Sequence, residues 1–134
     1  IELLQRLEQV ATEQETRLNL LIQVDLAGET TKHGLPPSNL SRILDVAAGC
    51  QAVRVRGLML LPPFEENPEQ TRPYFRQLRE LRDEVVASGV DRTMLQELSM
   101  GMSHDFETAI AEGATMVRVG TAIFGTRTAP VSPV

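Results

Sequence analysis

Three stretches of this sequence place chemically capable residues at close spacing. Ser99-Met100-Gly101-Met102-Ser103-His104-Asp105 sets small residues beside a histidine and a carboxylate. Small side chains let backbone N–H groups approach an anion, and a helix opening at Ser103 favours negative charge at its N-terminus. A plainer alternative is that Ser103 only caps that helix, with Met100 and Met102 filling the core. A Ser-His-Asp nucleophilic triad fails here, because three adjacent residues at a helix start point in divergent directions.

The second stretch is Arg118-Val119-Gly120-Thr121. Alternation along an extended segment puts Met116, Arg118 and Gly120 on one face, and Val117, Val119 and Thr121 on the other. A guanidinium in so apolar a strand is costly unless it is paired or bonded to a ligand. Gly120 weakens a strand, which makes sense where another group approaches the backbone closely. Either a buried Arg118–carboxylate bridge or a ligand contact accounts for the arginine. The third stretch is the loop Gly28 to Gly34, which holds Lys32, the single lysine of the chain. Lys32 is the one side-chain amine available for an imine, although a loop lysine is commonly just a solvated charge. His33 has no clear second ligand nearby, so a metal site has weak support. Asp25 just before this loop is either a polar site residue or a loop cap. Arg72, Arg76, Arg79 and Arg82 form a helical stripe interleaved with Glu80, Asp83 and Glu84, which predicts a solvated, ion-paired face.

These stretches must be held by something. The chain has 134 residues, 42% of them hydrophobic and 23% charged, with a net charge of −5. That is one domain's worth of ordinary globular sequence. The acidic balance argues against a broad nucleic-acid footprint, and no apolar run approaches the roughly 18–20 residues a membrane span needs. The lone Cys50 excludes an internal disulfide framework and fits a reducing, cytoplasmic setting.

Hydrophobic periodicity predicts a helix from about residue 2 to 15, a doubly buried strand over Leu18 to Leu26, and a helix capped by Ser38 and ended by Gly49. A strand over Val53 to Leu61 follows, stopped by Pro62-Pro63, and then a helix from about Gln70 to Ala87. A short strand over Leu95 to Met100, a short helix capped by Ser103, and a strand over Thr115 to Phe124 complete the pattern. Residues 128–134 are expected to be a disordered tail after a domain portion spanning 1–127. This αβαβαβαβ order favours a parallel sheet with right-handed crossovers. A complete (β/α)8 barrel needs about 250 residues and eight strands, and half of each is present. The expectation is therefore a small open sheet or half of a barrel, and the start at Ile1 rather than Met favours the half. In barrels phosphate often binds the loops after strands seven and eight, which the last two strands here would be.

The residues Leu98-Ser99-Met100-Gly101-Met102-Ser103, Asp105, Ala109-Ile110, Gly113 and Val117-Arg118-Val119-Gly120-Thr121-Ala122-Ile123-Phe124-Gly125 with Arg127 resemble the C-terminal signature of the pyridoxal phosphate homeostasis protein family. Arg56-Gly57-Leu58-Met59, Ile22-Gln23-Val24, Glu29, Lys32 and Gly34 match earlier family motifs in order. The likeness covers about residues 3 to 127. Val119 stands where the family usually has Ile, and Asp25 where it usually has Asn.

The resemblance implies an α/β fold, a parallel (β/α)8 TIM-type barrel like the N-terminal barrel of alanine racemase, with about its C-terminal half in this chain. It implies pyridoxal 5′-phosphate as cofactor. Ser99 and the backbone around Gly120 and Thr121 would hold the phosphate, and Arg118 would face the pyridine nitrogen. The family's Schiff-base lysine belongs to the N-terminal half, and Lys32 matches a different, loop lysine. The implied role is intracellular vitamin B6 and amino-acid homeostasis without established turnover, with cofactor-dependent enzymes or regulatory proteins as partners. A racemase-like enzyme and a barrel serving as a regulatory interaction module are the competing classes.

Overall fold

Leu4, Leu7 and Ala11 recur at helical spacing and bring one face of the first helix, α1 (Glu2–Glu13), onto the sheet. The computed structural model describes residues 1–28 and 34–127. The expected loop positions Lys32 and His33 and the expected tail 128–134 lie outside the described residues. After α1 come strand β1 (Leu18–Val24), helix α2 (Leu40–Ala48), strand β2 (Val53–Leu60), helix α3 (Pro68–Ala87), strand β3 (Glu97–Met102), helix α4 (Phe106–Ala111), strand β4 (Met116–Arg118) and helix α5 (Thr121–Phe124). Short 3-10 turns over Pro37–Asn39 and Arg92–Leu95 lead into α2 and β3.

All neighbouring strands pair in parallel, in the order β1-β2-β3-β4. The register aligns Ile22, Leu58 and Leu98 in one row, and each of the three is buried. Phe75, Leu78 and Val85 of α3 and Leu40, Leu44 and Ala47 of α2 belong to the same core. Full burial of each such Leu or Phe side chain contributes about 1.5–3 kcal/mol. The alternate row, Gln23, Met59, Ser99 and Met116, therefore lies on the opposite face of the sheet. A register shift between Leu20 and Leu21 lets Arg56 of β2 reach across to Asn19 of β1, donating from Nε at 3.2 Å. Gly57 lies beside this irregularity because a Cβ there would overlap the Glu97 carbonyl of β3.

Polar ties fix the helices to the sheet. Glu8 of α1 accepts hydrogen bonds from the N–H groups of Gln51, Ala52 and Val53, at 2.8 to 3.2 Å, where β2 begins. Those bonds, Gln51 first, hold its carboxyl below the usual range against the opposing cost of burial. The arginine stripe is only in part the solvated in-helix network that its spacing predicts. Arg72, Arg76 and Arg79 converge on Glu112 at the end of α4, at 3.1, 3.3 and 3.0 Å. Arg72 also pairs along the helix, with Glu69 at 2.7 Å, and Arg82 pairs with Asp83 and donates to the Leu95 carbonyl. Ser38 does not cap α2 either. It sits inside the 3-10 turn that precedes the helix, and no side chain makes the cap bond.

β1 and β4 form the two edges of the sheet. An apolar groove of about 490 Å³ runs along β1, lined by Leu3, Leu7, Leu20, Leu35 and Ile43 among others.

Candidate functional site

The loops leaving the carboxyl ends of β3 and β4 meet, and they bring together most of the residues singled out by sequence. Ser99 lies within β3, 4% exposed, in the row it shares with Met59 and Met116. Beyond it Gly101 adopts φ +102°, and a Cβ there would stand 2.7 Å from the Ala109 Cβ. Only glycine meets both conditions without strain. The chain then turns through Met102 to Asp105. Asp105 is buried, and its Oδ1 accepts the Met102 N–H at 2.7 Å.

Ser103 does not cap α4, whose N-cap is Asp105. Its Oγ instead accepts the N–H groups of Gly120 and Ala122, at 3.0 and 3.1 Å, and so joins the loop after β3 to the loop after β4. Of the two methionines, Met100 is core and Met102 is 40% exposed. His104 lies 3.4 Å from Asp105 through Nε2, and its ring packs at 4.7 Å from the Phe64 ring.

The strand expected over Thr115 to Phe124 ends at Arg118. Gly120 takes φ −119° and ψ −78°, which breaks the extended run, and Thr121–Phe124 coil into one helical turn. Thr121 opens that turn and is exposed. Nothing lies within 4 Å of the position a Gly120 Cβ would occupy. The protein's own packing thus makes no demand for glycine there, and the space above the backbone is open.

Arg118 donates from Nη2 to the Leu60 carbonyl at 2.7 Å, so its guanidinium lies over the end of β2. No carboxylate pairs with it among the described residues, and its buried Nε has no partner. Burial pushes its pKa below the usual arginine value, and the charge of Asp105 partly offsets that. Asp25 is a loop cap, with Oδ1 accepting the N–H groups of Ala27 and Gly28. Among the described residues no group of three or more His, Cys, Asp or Glu side chains is placed to hold a metal ion.

The result is a polar cluster at the carboxyl ends of parallel strands, in which Ser103 holds the Gly120 and Ala122 N–H groups and the Arg118 guanidinium is partly unpaired among the described residues. In parallel α/β folds this is where phosphorylated ligands bind. Sequence reasoning placed Ser99, Arg118, Gly120 and Thr121 at neighbouring strand ends, but it missed the contact from Ser103 to Gly120 and Ala122, which joins residues 17 and 19 positions apart and leaves no local signal. The gathering of three arginines on Glu112 was equally invisible.

The chain belongs to the alanine racemase N-terminal domain family, whose profile matches residues 1–128. Within that class it is similar to the pyridoxal phosphate homeostasis protein of Aquifex aeolicus, 53% identical over 109 residues, covering 81% of this chain and 47% of that protein. It is also similar to the solved structures of PipY from Synechococcus elongatus. Without pyridoxal phosphate that structure gives a TM-score of 0.84 at 38% identity, covering 92% of this chain and 57% of PipY. With pyridoxal phosphate bound the values are 0.80 and 37%, covering 90% and 55%. The chain spans about half the length of these relatives, so its four parallel strands are a portion of a TIM-type barrel.

Proposed function

We propose that this chain holds pyridoxal 5′-phosphate at the carboxyl ends of β3 and β4, within a cytoplasmic protein that manages the supply of that cofactor and of amino acids. Support comes from the similarity to relatives named for pyridoxal phosphate homeostasis and to PipY, which has been solved with the cofactor bound. The observation that carries the reading is Arg118, whose buried Nε has no partner among the described residues, two positions before Gly120, where a Cβ would meet nothing within 4 Å. The donor set fits the group. Ser99 and the N–H groups around Gly120 and Thr121 hold the phosphate, as backbone donors at the start of a helical turn suit an anion.

When bound, pyridoxal phosphate supplies an aldehyde that captures amines and a ring that acts as an electron sink. Arg118 would lie toward the ring nitrogen, and its permanent charge would keep a proton off it. An unprotonated ring is the weaker sink, which suits storage and delivery over turnover. Lys32 takes no covalent role in this reading. Enzymes or regulatory proteins that use the cofactor are its partners.

Equilibrium titration of the full chain with pyridoxal phosphate and with pyridoxal tests the reading. Ser99→Ala is expected to weaken the phosphate ester about tenfold, the worth of one hydrogen bond to a charged oxygen, and to leave pyridoxal unchanged. Equal affinity for the two ligands in the wild type would overturn it. Racemisation of amino acids by the loaded protein would favour an enzyme over a carrier.

A further inference from the structure

At the amino end of β3, opposite the polar cluster, the chain passes from α3 to the strand through the 3-10 turn Arg92–Leu95. That turn packs on β2, an inner strand, and so stands away from β1 and β4 at the open edges of the sheet. The last turns of α3 and this short turn enclose a cleft of about 340 Å³. Clefts of that size take small organic molecules. Val86, Ala87 and Leu95 give it an apolar wall, and Arg82, Asp83 and Arg92 bring charge to it.

The two arginines differ in freedom. Arg82 is fixed, its Nε donating to Asp83 Oδ1 at 2.6 Å and its Nη1 to the Leu95 carbonyl at 3.2 Å. Its side chain is 21% exposed, and its Nη2 makes no hydrogen bond with a described residue. Arg92 is exposed, and among the described residues its guanidinium has neither a hydrogen bond nor an ion pair. The Asp91 carboxylate beside it is turned instead to Thr93, accepting from the N–H and the hydroxyl. Asp83 balances Arg82, so Arg92 leaves the lining of the cleft with one positive charge in excess. A guanidinium already held by two bonds has little rotamer freedom left to lose when a ligand binds.

We propose that this cleft is a second binding site, for a small monocarboxylate with a short aliphatic body. One carboxylate matches the single excess charge and suits the planar fork of an arginine. The apolar wall takes the body, which a purely hydrophilic anion would leave facing water. An amino acid would bring an ammonium group as well, and Asp83, the acidic residue of the lining, is already bonded to Arg82. The site is independent of the cofactor reading, since none of its residues belongs to the loops after β3 and β4.

Titration of the isotope-labelled full chain with isovalerate, followed through its amide resonances, tests the site. The shifts are expected to cluster at Ala87, Arg92, Leu95 and Gln96, with a dissociation constant of roughly 1–10 mM. Isovaleramide, of the same shape but uncharged, should bind about tenfold more weakly, and so should inorganic phosphate. Arg92→Gln, at an exposed position, should weaken isovalerate about tenfold, the worth of one hydrogen bond to a charged group. Ala87→Glu sets a like charge on the wall and should abolish binding. Shifts that fall elsewhere would overturn the proposal, and so would an Arg92→Gln chain that binds isovalerate as the wild type does. Equal affinity for isovalerate and its amide would remove the role of charge, and equal affinity for phosphate the role of the wall; either sinks the site as described.

Discussion

Two glycines of the loops after β3 and β4 should answer the same substitution in opposite ways. At Gly101 the backbone has φ +102°, and an added Cβ would stand 2.7 Å from the Ala109 Cβ and 3.1 Å from the Phe106 Cα. Holding a side chain in that backbone region costs about 1–3 kcal/mol. Pressing a methyl into a filled contact costs about 1–3 kcal/mol more. Gly101→Ala is thus expected to lose roughly 2–6 kcal/mol, and to lower Tm by about 8 °C or more in a chain of this size. At Gly120 φ is −119° and the Cβ position is empty to 4 Å. Gly120→Ala should stay within about 0.5 kcal/mol of wild type. Its methyl nevertheless enters the space assigned to the phosphate, so it should abolish discrimination between pyridoxal phosphate and pyridoxal. Urea unfolding followed by far-ultraviolet circular dichroism measures both variants, with the m-value confirming that the same surface is exposed. Equal destabilisation by the two substitutions, or a Gly101→Ala midpoint at the wild-type value with m unchanged, would refute the reasoning.

Acid unfolding should report on Glu8. Its folded pKa is depressed, so its contribution is full above the ordinary carboxylate range and disappears as pH falls through the lowered value. Glu8→Gln should therefore lower the urea midpoint at neutral pH and flatten the acid limb of stability against pH. Thr115 accepts the Leu98 N–H at 2.8 Å between β4 and β3. Thr115→Val leaves that donor unpaired, which should cost about 1–3 kcal/mol in urea unfolding, while Thr115→Ser stays near wild type. In thermal melts Glu112→Ala should destabilise more than Arg76→Ala, because one carboxylate serves three guanidiniums and each arginine is only one of the three.

The alternation of helix and strand was legible because its signals are local. The continuous apolar run Leu20-Leu21-Ile22 marks a strand, though only Ile22 of the three is buried where the run predicts full burial on both faces, and the stripe Phe75, Leu78 and Val85 marks a helix face. The candidate site was legible in position for a related reason, since parallel α/β sheets put ligands beyond the carboxyl ends of strands. What failed was everything decided between distant positions. The apolar run through Ile123 and Phe124 reads as strand, but among the described residues no strand pairs with them, and Gly120 turns the backbone away. Ser103 has the composition of a local cap, and its partners lie in the next βα unit. The arginines of α3 have acidic neighbours at pairing distance along the helix, and Arg72 and Arg82 use them, yet the buried Glu112 carboxylate 33 to 40 residues away draws Arg72, Arg76 and Arg79 across.

The gathering of Arg72, Arg76 and Arg79 on Glu112 separates positive charge from reactivity. Of the thirteen lysines and arginines in the chain, only Lys32 is an amine. A lysine amine condenses with carbonyl compounds when it loses its proton, whereas a guanidinium keeps its proton and does not. Along α3, therefore, cations bind helices together without offering an aldehyde anything to attach to. A reactive carbonyl that diffuses over this face meets charge but no nucleophile, and can leave as freely as it came.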